Sequence, residues 1–375
     1  PFLVICNDKE EAAYYLNDLE QLLSPENIFF YPGSYRRPYQ IEETDNANIL
    51  LRAEVLNRIN SQKKASLILT YPEALFEKTI TKSELTRNSL NLQLGEKITL
   101  DFINELLFEY QFNRVDFVGE PGDFAVRGGI IDVFSFSNDE PFRIEFFGDE
   151  IESLRTFDVE TQLSLEKLKK INIMPNVENK MLNEKRESFI SYLSKKTVIF
   201  VESYTTLKYD LDKLYQKAEE TFQKDSGLLK LTSNDAIFCA GNTILSQLKN
   251  FTTVAFNNKE IDSSSSNHFA FNTKPQPVFN KQFELLIQNL NENTENKIAN
   301  HLFCDNEKQA ERFHDIFEDI DHGLSYKTHV FPLYQGFIDP DNKIACYTDH
   351  QIFERYHKFR LKSGFAKKQS LSLKE

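Results

Sequence analysis

Residues 142 to 147 read FRIEFF, an alternation that puts Phe142, Ile144 and Phe146 on one side of an extended chain and Arg143, Glu145 and Phe147 on the other. A helix would need its apolar residues every three to four positions, so this stretch is a strand. Glycines supply its reversals. Gly148 and Asp149 follow directly in FFGDE, where a glycine can take the positive φ that a tight hairpin demands. Glycine-linked alternating segments continue from about residue 113 to 158, with a single helical candidate, LDFINELLFEY at 100 to 110, ahead of them. The expectation is a small antiparallel sheet with one helix against it. One side of FRIEFF is an ordinary buried face, whereas the other carries an arginine and a large ring where a solvated strand would be polar. Periodicity leaves two readings of that second face. It is either a core face covered by the helix, or a surface where a guanidinium pairs with a carboxylate and the ring adds apolar area.

Either side of this sheet the texture is α/β, with short apolar runs followed by helices. PFLVICND predicts a strand ending in an Asn7/Asp8 turn or cap and then an amphipathic helix, and NIFFYPG a second strand. TDNANILLRAEVLNRIN, 44 to 60, reads as a helix with an Asp/Asn-rich start, and KKASLILTYPEALFEK repeats strand, turn and helix. Around residue 89 the sheet-forming text begins with NLQL and a turn at Gly95, and it ends near INIMP at 171 to 175. Beyond it, MLNEKRESFISYLSKK predicts a helix ending near two lysines, TVIFVES a strand, and 208 to 226 a charged helix. AIFCAG at 236 to 241 and FTTVAFN at 251 to 257 read as short strands. Residues 261 to 280, rich in Ser, Asn and Pro, read as a connection. A last unit then runs helix, strand, helix, strand, strand, helix from KQFELLIQNLNENTENK to the terminal segment, with THVFPLYQGF as a single strand.

The chemistry-bearing patterns are mostly missing. A phosphate loop would place GxxxxGK[ST] after the first strand, but the chain has NDKEEAAY there, with no glycine and with carboxylates where phosphate would lie. GEPGDF at 119 to 124 has the form of a turn before a strand. The four cysteines, at 6, 239, 304 and 346, show no paired spacing and read as reduced, mostly buried thiols. Histidines such as His268, His301, His322, His329, His350 and His357 are dispersed, and solvated or capping roles are expected of them, so no metal site is predicted. No glycine-framed nucleophile elbow marks a serine. Asp149 and Glu150 are adjacent on a strand and point to opposite faces, so they cannot clasp one ligand. No apolar run reaches eighteen residues, and nothing asks for a membrane or a leader. The net charge of -13 argues against wrapping duplex nucleic acid. A local exception is YPGSYRRPYQIEET, where Tyr31, Tyr35 and Tyr39 interleave with Arg36 and Arg37 before Glu42, Glu43 and Asp45 reverse the charge. Tyr35, Arg36 and Arg37 are the candidate nucleic-acid contacts, with the basic segment FRLKSGFAKK as a second possibility. The chain begins without methionine and stops after that segment, so both ends are expected to be cuts in a longer polypeptide.

GDFAVRGGIIDVFSFSNDEPFRIEFFGDEIESLRTFDVETQ and TDNANILLRAEVLNRI resemble the amino-terminal region of the bacterial transcription-repair coupling factors, the Mfd family. More distantly they are similar to the corresponding module of the excision-repair subunit UvrB. The resemblance extends over the whole chain, most weakly over its last hundred residues. It implies an α/β fold with a split parallel-sheet domain, degenerate for nucleotide binding, at 1–88 and 175–278. An inserted antiparallel UvrA-binding domain would occupy 89–174, a linker 279–281, and a compact, regulatory α/β domain 282–375. By the same resemblance Arg127, Arg143 and Phe147, with Glu145 between the last two, would bind UvrA. The chain itself would have no catalytic residues and no cofactor. ATP, magnesium, RNA polymerase and double-stranded DNA would engage translocase and polymerase-binding domains of the parent protein, which this portion would help restrain through intramolecular contacts in the cytoplasm.

Overall fold

The runs FLVI, LILT and VIFV are apolar on both faces, which suits strands covered on each side. A computed structural model, describing residues 1–35, 45–61, 66–136, 138–176, 185–224, 234–256, 267–320 and 323–355, assembles them in this way. Thr252–Ala255, Val198–Val201, Phe2–Ile5, Leu67–Thr70 and Ile28–Phe30 lie side by side in that order, every pair parallel. Phe2–Ile5 is central, with Phe2 opposite Val198 on one side and Leu67 on the other. The sheet is therefore split in sequence. The intervening domain leaves and returns through two short antiparallel ladders, Thr79–Ile80 with Arg186–Glu187 and Leu90–Gln93 with Lys170–Ile173.

Those ladders correct one expectation. In place of a helix through MLNEKRESFISYLSKK, Arg186–Glu187 is a strand and Phe189–Tyr192 a single helical turn, while residues 181–184 lie outside the described residues. Long-range partners override helix propensity here: Arg186 donates from Nη1 to the Lys78 carbonyl at 3.1 Å, and the Tyr192 hydroxyl donates to the carbonyl of Ile80. AIFCAG is likewise no strand. Asn234–Ile237 forms a helical turn, Phe238 makes one isolated bridge to Glu77, and Gly241–Leu248 is a helix. That helix starts so close to its neighbour Tyr204–Lys224 that a Cβ on Gly241 would come within 2.5 Å of an Asp212 carboxylate oxygen.

The inserted domain is a six-stranded sheet in the order Ser164–Lys167, Glu150–Phe157, Phe142–Phe147, Ile130–Val133, Asp123–Arg127 and Asn113–Arg114. Every pairing is antiparallel except the last. Gly128 and Gly148 turn the two central hairpins at φ of +60° and +62°. Phe124, Ile131, Val133, Phe142, Ile144 and Leu154 are buried, as are Ile103 and Leu107 of the helix Leu100–Glu109. Phe108 of that helix meets the Phe124 ring edge-on at 5.1 Å, and register places Phe124 on the same side as Phe142. The helix thus covers the Phe142 face and leaves the Arg143 face to other partners.

The chain divides into two compact units: the described residues of Pro1–Ala12 and Glu26–Asn257, and those of Ala13–Pro25 and Asn258–Leu361. The second has its own sheet, in the order Lys274–Pro275, Phe337–Asp339, Ile344–Thr348, Ala299–Phe303 and Lys327–His329. Helices Phe283–Glu295 and Glu307–Ile320 add Leu286, Leu290, Phe313 and Phe317 to a core with Phe279 and Tyr347. THVFPLYQGF is two strands here, not one. The expected linker at 279–281 and start at 282 also shift. Lys274–Pro275 already pairs with Phe337–Asp339, the Gln276 side-chain oxygen accepts from the Thr348 amide at 2.8 Å, and Phe279 is core. Gly336 is what admits Gln276, since a Cβ there would stand 2.1 Å from that same oxygen. The serine run at 263–266 lies outside the described residues.

Candidate functional site

Strand register assembles one polar cluster on the uncovered face of the inserted sheet. Asp132 sits directly opposite Arg143, and the row beside them runs Arg127, Ile130, Glu145. The Asp132 side chain is 0% exposed, and such a carboxylate has to find its partners within the protein. Arg143 supplies a fork: Nε donates to Oδ1 at 2.7 Å and Nη2 to Oδ2 at 2.9 Å. Its Nη1 donates to the Gln162 carbonyl at 3.2 Å, and the guanidinium lies 4.4 Å above the Phe157 ring. The hydrogen bonds that Arg143 donates to Asp132 hold its pKa above the ordinary value. Arg127 donates to the same Oδ2 from Nη2 and lies 5.3 Å over the ring of Phe117. Glu145 pairs with Arg155 on the adjacent strand.

Exposure separates the members. The Arg143 side chain is 15% exposed and that of Arg127 39%, whereas Phe117 stands 67% and Phe147 78% in solvent. Beneath Arg143, Val118, Ala125, Phe134 and Phe157 form a small second core. The outer face is therefore core toward Phe157 and open toward the Gly148 hairpin; the expected cover by the helix is corrected, since Val118, Phe134 and Phe157 close that part of the face while the helix lies on the other side. The parity of Arg143, Glu145 and Phe147 is as read. What changes is their pairing: the carboxylate for Arg143 is Asp132 of the same sheet, and the cation for Glu145 is Arg155. Asp132, Phe117 and Gln162 were not singled out from the sequence. The outward parity of Asp132 between Ile131 and Val133 was visible, but its partner required the strand register.

The aromatic part of the nucleic-acid candidate is corrected. Tyr31 is buried against Phe189, with ring centroids 3.8 Å apart, and Tyr35 is buried edge-on to Phe238 at 6.4 Å. Neither ring is available to stack on a base. Arg36, Arg37 and Tyr39 lie outside the described residues, as does FRLKSGFAKK. The turn leading to them is pinned from below. Arg52 is fully buried, its guanidinium 4.3 Å from the Tyr31 ring, with Nη1 donating to the Pro32 carbonyl at 2.9 Å and lying 3.2 Å from Glu77 Oε2. Glu77 in turn accepts from the Ser34 amide at 2.8 Å and from its hydroxyl at 2.7 Å.

At the carboxyl ends of the parallel strands, where an α/β sheet usually receives a ligand, Ile5, Cys6 and Asn7 face Val201, Glu202 and Ser203 across a cleft also lined by Pro72, Leu207 and Asp210. Asn7 donates its side-chain amide to Glu202 and its backbone amide to Glu11 Oε2 at 2.6 Å, and the Glu11 amide donates to Asp8 Oδ1 at 2.8 Å. Burial raises the Glu11 pKa, and Glu202 and Asp8 raise it further. The amides that could greet a phosphate are thus engaged by carboxylates. Burial pushes the Cys239 and Cys346 thiols up to about 11, and all four cysteines are buried and unpaired. The histidines are less dispersed than expected. His301 and His329 share a hydrogen bond at 2.8 Å, and His350 is buried, donating to the Tyr334 carbonyl at 2.9 Å. Among the described residues no three His, Cys, Asp or Glu side chains converge as metal ligands, and no helix is long and apolar enough to cross a membrane.

The sheet, its helix and the outer cluster fall within residues 90–178, which match the family described as the UvrB interaction domain. The chain more widely is similar to transcription-repair-coupling factors. It is 31% identical to that of Bacillus subtilis over 47% of this chain and 15% of the relative. With that of Haemophilus influenzae it shares 28% identity over 57% of this chain and 18% of the relative. With that of Staphylococcus aureus the figures are 34%, 46% and 14%. The aligned part is thus under a fifth of the length of each of these relatives. Over about half its length the chain is thus similar to part of a coupling factor, with residues 90–178 matching the UvrB interaction domain.

Proposed function

We propose that this chain is a non-catalytic recruitment portion of a transcription-repair coupling factor, bringing UvrA to a stalled transcription complex through the inserted domain. The observation that carries the reading is Phe147, a large ring 78% exposed at a hairpin tip, next to the row of Arg127 and Glu145, in a domain that matches the UvrB interaction family. Arg127, Arg143, Glu145 and Phe147 form the contact surface or hold it in shape. ATP, magnesium, double-stranded DNA and RNA polymerase belong to other parts of the parent protein. The carboxylates around the parallel-sheet cleft support the absence of a nucleotide role here. The second unit helps hold the parent's translocase in check, and the protein works in the cytoplasm. Direct nucleic-acid binding is the competing reading, and it loses Tyr31 and Tyr35 to the core.

The test is Phe147→Ala titrated against purified UvrA, with the melting temperature taken on the same samples. Losing a ring that becomes buried only in the complex costs about 2 kcal/mol, roughly thirtyfold in affinity, and leaves the melting temperature within about 2 °C. A stable variant with wild-type affinity for UvrA would return nucleic-acid binding to the front.

A further inference from the structure

Arg143 and Arg127 differ in how fully the domain itself uses them. Asp132 takes a two-pronged contact from Arg143, whose remaining Nη1 is held by the Gln162 carbonyl and whose face rests on Phe157. Arg127 is tied to that carboxylate through Nη2, lies 39% exposed, and has the exposed ring of Phe117 beneath it. The three groups carry two formal positive charges and one negative, leaving one positive charge on the face. Glu145 and Arg155 cancel each other and add none. We propose that Asp132 is a positioning residue that makes Arg127 the cation presented to a partner protein, and that the partner surface offers one carboxylate flanked by apolar slots for Phe117 and Phe147. This rests on the UvrA reading above and specifies the chemistry of the surface that meets it. Fixing the guanidinium before the encounter removes most of the ordering cost a long side chain carries into an interface. The Phe117 ring against the guanidinium shields the ion pair from water on that side, which strengthens it.

The experiment uses the full chain and purified UvrA. Arg127→Gln lowers affinity about tenfold or more with little change in melting temperature. Asp132→Asn lowers affinity by about tenfold although it adds a positive charge to the face, because Arg127 loses the carboxylate that places it, while Arg143 stays held by the Gln162 carbonyl and the Phe157 ring. Unaided charge attraction to an acidic partner predicts the opposite sign. Because Asp132 acts through Arg127, the double variant binds within about twofold of Arg127→Gln. Phe117→Leu, at an exposed position that leaves the fold intact, costs about fivefold. Asp132→Asn with wild-type or higher affinity overturns the proposal, as does a double variant whose loss is the product of the single losses. Should Asp132→Asn fail to fold, wild-type affinity in both Arg127→Gln and Phe117→Leu overturns it instead. Phe147→Ala, run alongside, separates the two levels. If it binds normally, UvrA is not the partner of this face. If it loses affinity while Asp132→Asn does not, only the positioning role of Asp132 falls.

Discussion

Replacing Arg52 by methionine removes one half of a buried ion pair and keeps most of the volume of the side chain. In the intact protein Glu77 is 3% exposed, and Arg52 Nη1 lies 3.2 Å from its Oε2. The carboxylate would keep the amide and hydroxyl of Ser34, but it would lose the guanidinium that faces it, and the Pro32 carbonyl would lose its donor. A charge stranded in this way costs about 3–5 kcal/mol, a large fraction of the stability of an ordinary domain. Urea unfolding followed by circular dichroism should show a lower midpoint with an unchanged slope. The double variant Arg52→Met/Glu77→Gln removes both charges while leaving a side-chain oxygen that can still accept from Ser34, so it should recover at least half of the loss. An Arg52→Met variant within about 1 kcal/mol of wild type would refute the reasoning, because it would mean that water reaches Glu77 and the pair is not buried in solution.

Glu54 gives a pH test. Burial raises its pKa from 4.5 to about 7, with Asp139 adding to the rise and Arg58 opposing it. The folded state therefore holds this proton more tightly than the unfolded one, so the penalty is absent below pH 4.5, grows as pH climbs, and is complete above about 7. Glu54→Gln should be more stable than wild type at pH 8 by about 3 kcal/mol, with the gain gone at about pH 4, measured by urea titration at both values. Gly336→Ala should lower the melting temperature of the second unit by several degrees, since its methyl would overlap the Gln276 oxygen that holds Thr348. Unchanged melting would mean that the Lys274–Pro275 strand is not fixed in place by Gln276.

The class of each layer was legible wherever pattern and length agreed. FLVI, LILT and VIFV, rich in β-branched residues and each followed by a turn signal and a helical stretch, read as strands, and the 44–60 segment carried both a helical period and an amino-terminal cap, with Asp45 accepting from the Ala47 and Asn48 amides in the structure. AIFCAG failed because a short apolar run does not distinguish a strand from a buried turn of helix, and the deciding contact, Gly241 against Asp212, lies 29 residues away in sequence. Glu187 and Arg186 looked helical because nothing local announces Thr79 and Ile80 as partners. The site divides in the same way. The facing of Arg143, Glu145 and Phe147 follows from a period of two, whereas which carboxylate neutralises which arginine depends on register, to which a single strand is blind. Tyr31 and Tyr35 were misread for a related reason. Tyrosines interleaved with arginines suit a nucleic-acid surface and a buried cation–π stack equally well, and Arg52, the cation actually used, sits far down the next helix.

The central position of Phe2–Ile5 bears on how the chain is made. One of its two neighbours, Leu67–Thr70, leaves the ribosome early, but the other, Val198–Val201, comes about 200 residues after Phe2–Ile5 itself. Until then the first strand has one bare edge, and what emerges in the interval is the inserted domain, whose hairpins are local and close quickly. That domain can complete itself first. In doing so it draws Leu90–Gln93 and Lys170–Ile173 together, shortening the loop that must close before Val198 can meet Phe2. The domain that presents Phe147 would then also serve, through that ladder, as the clasp on which the older half of the sheet waits.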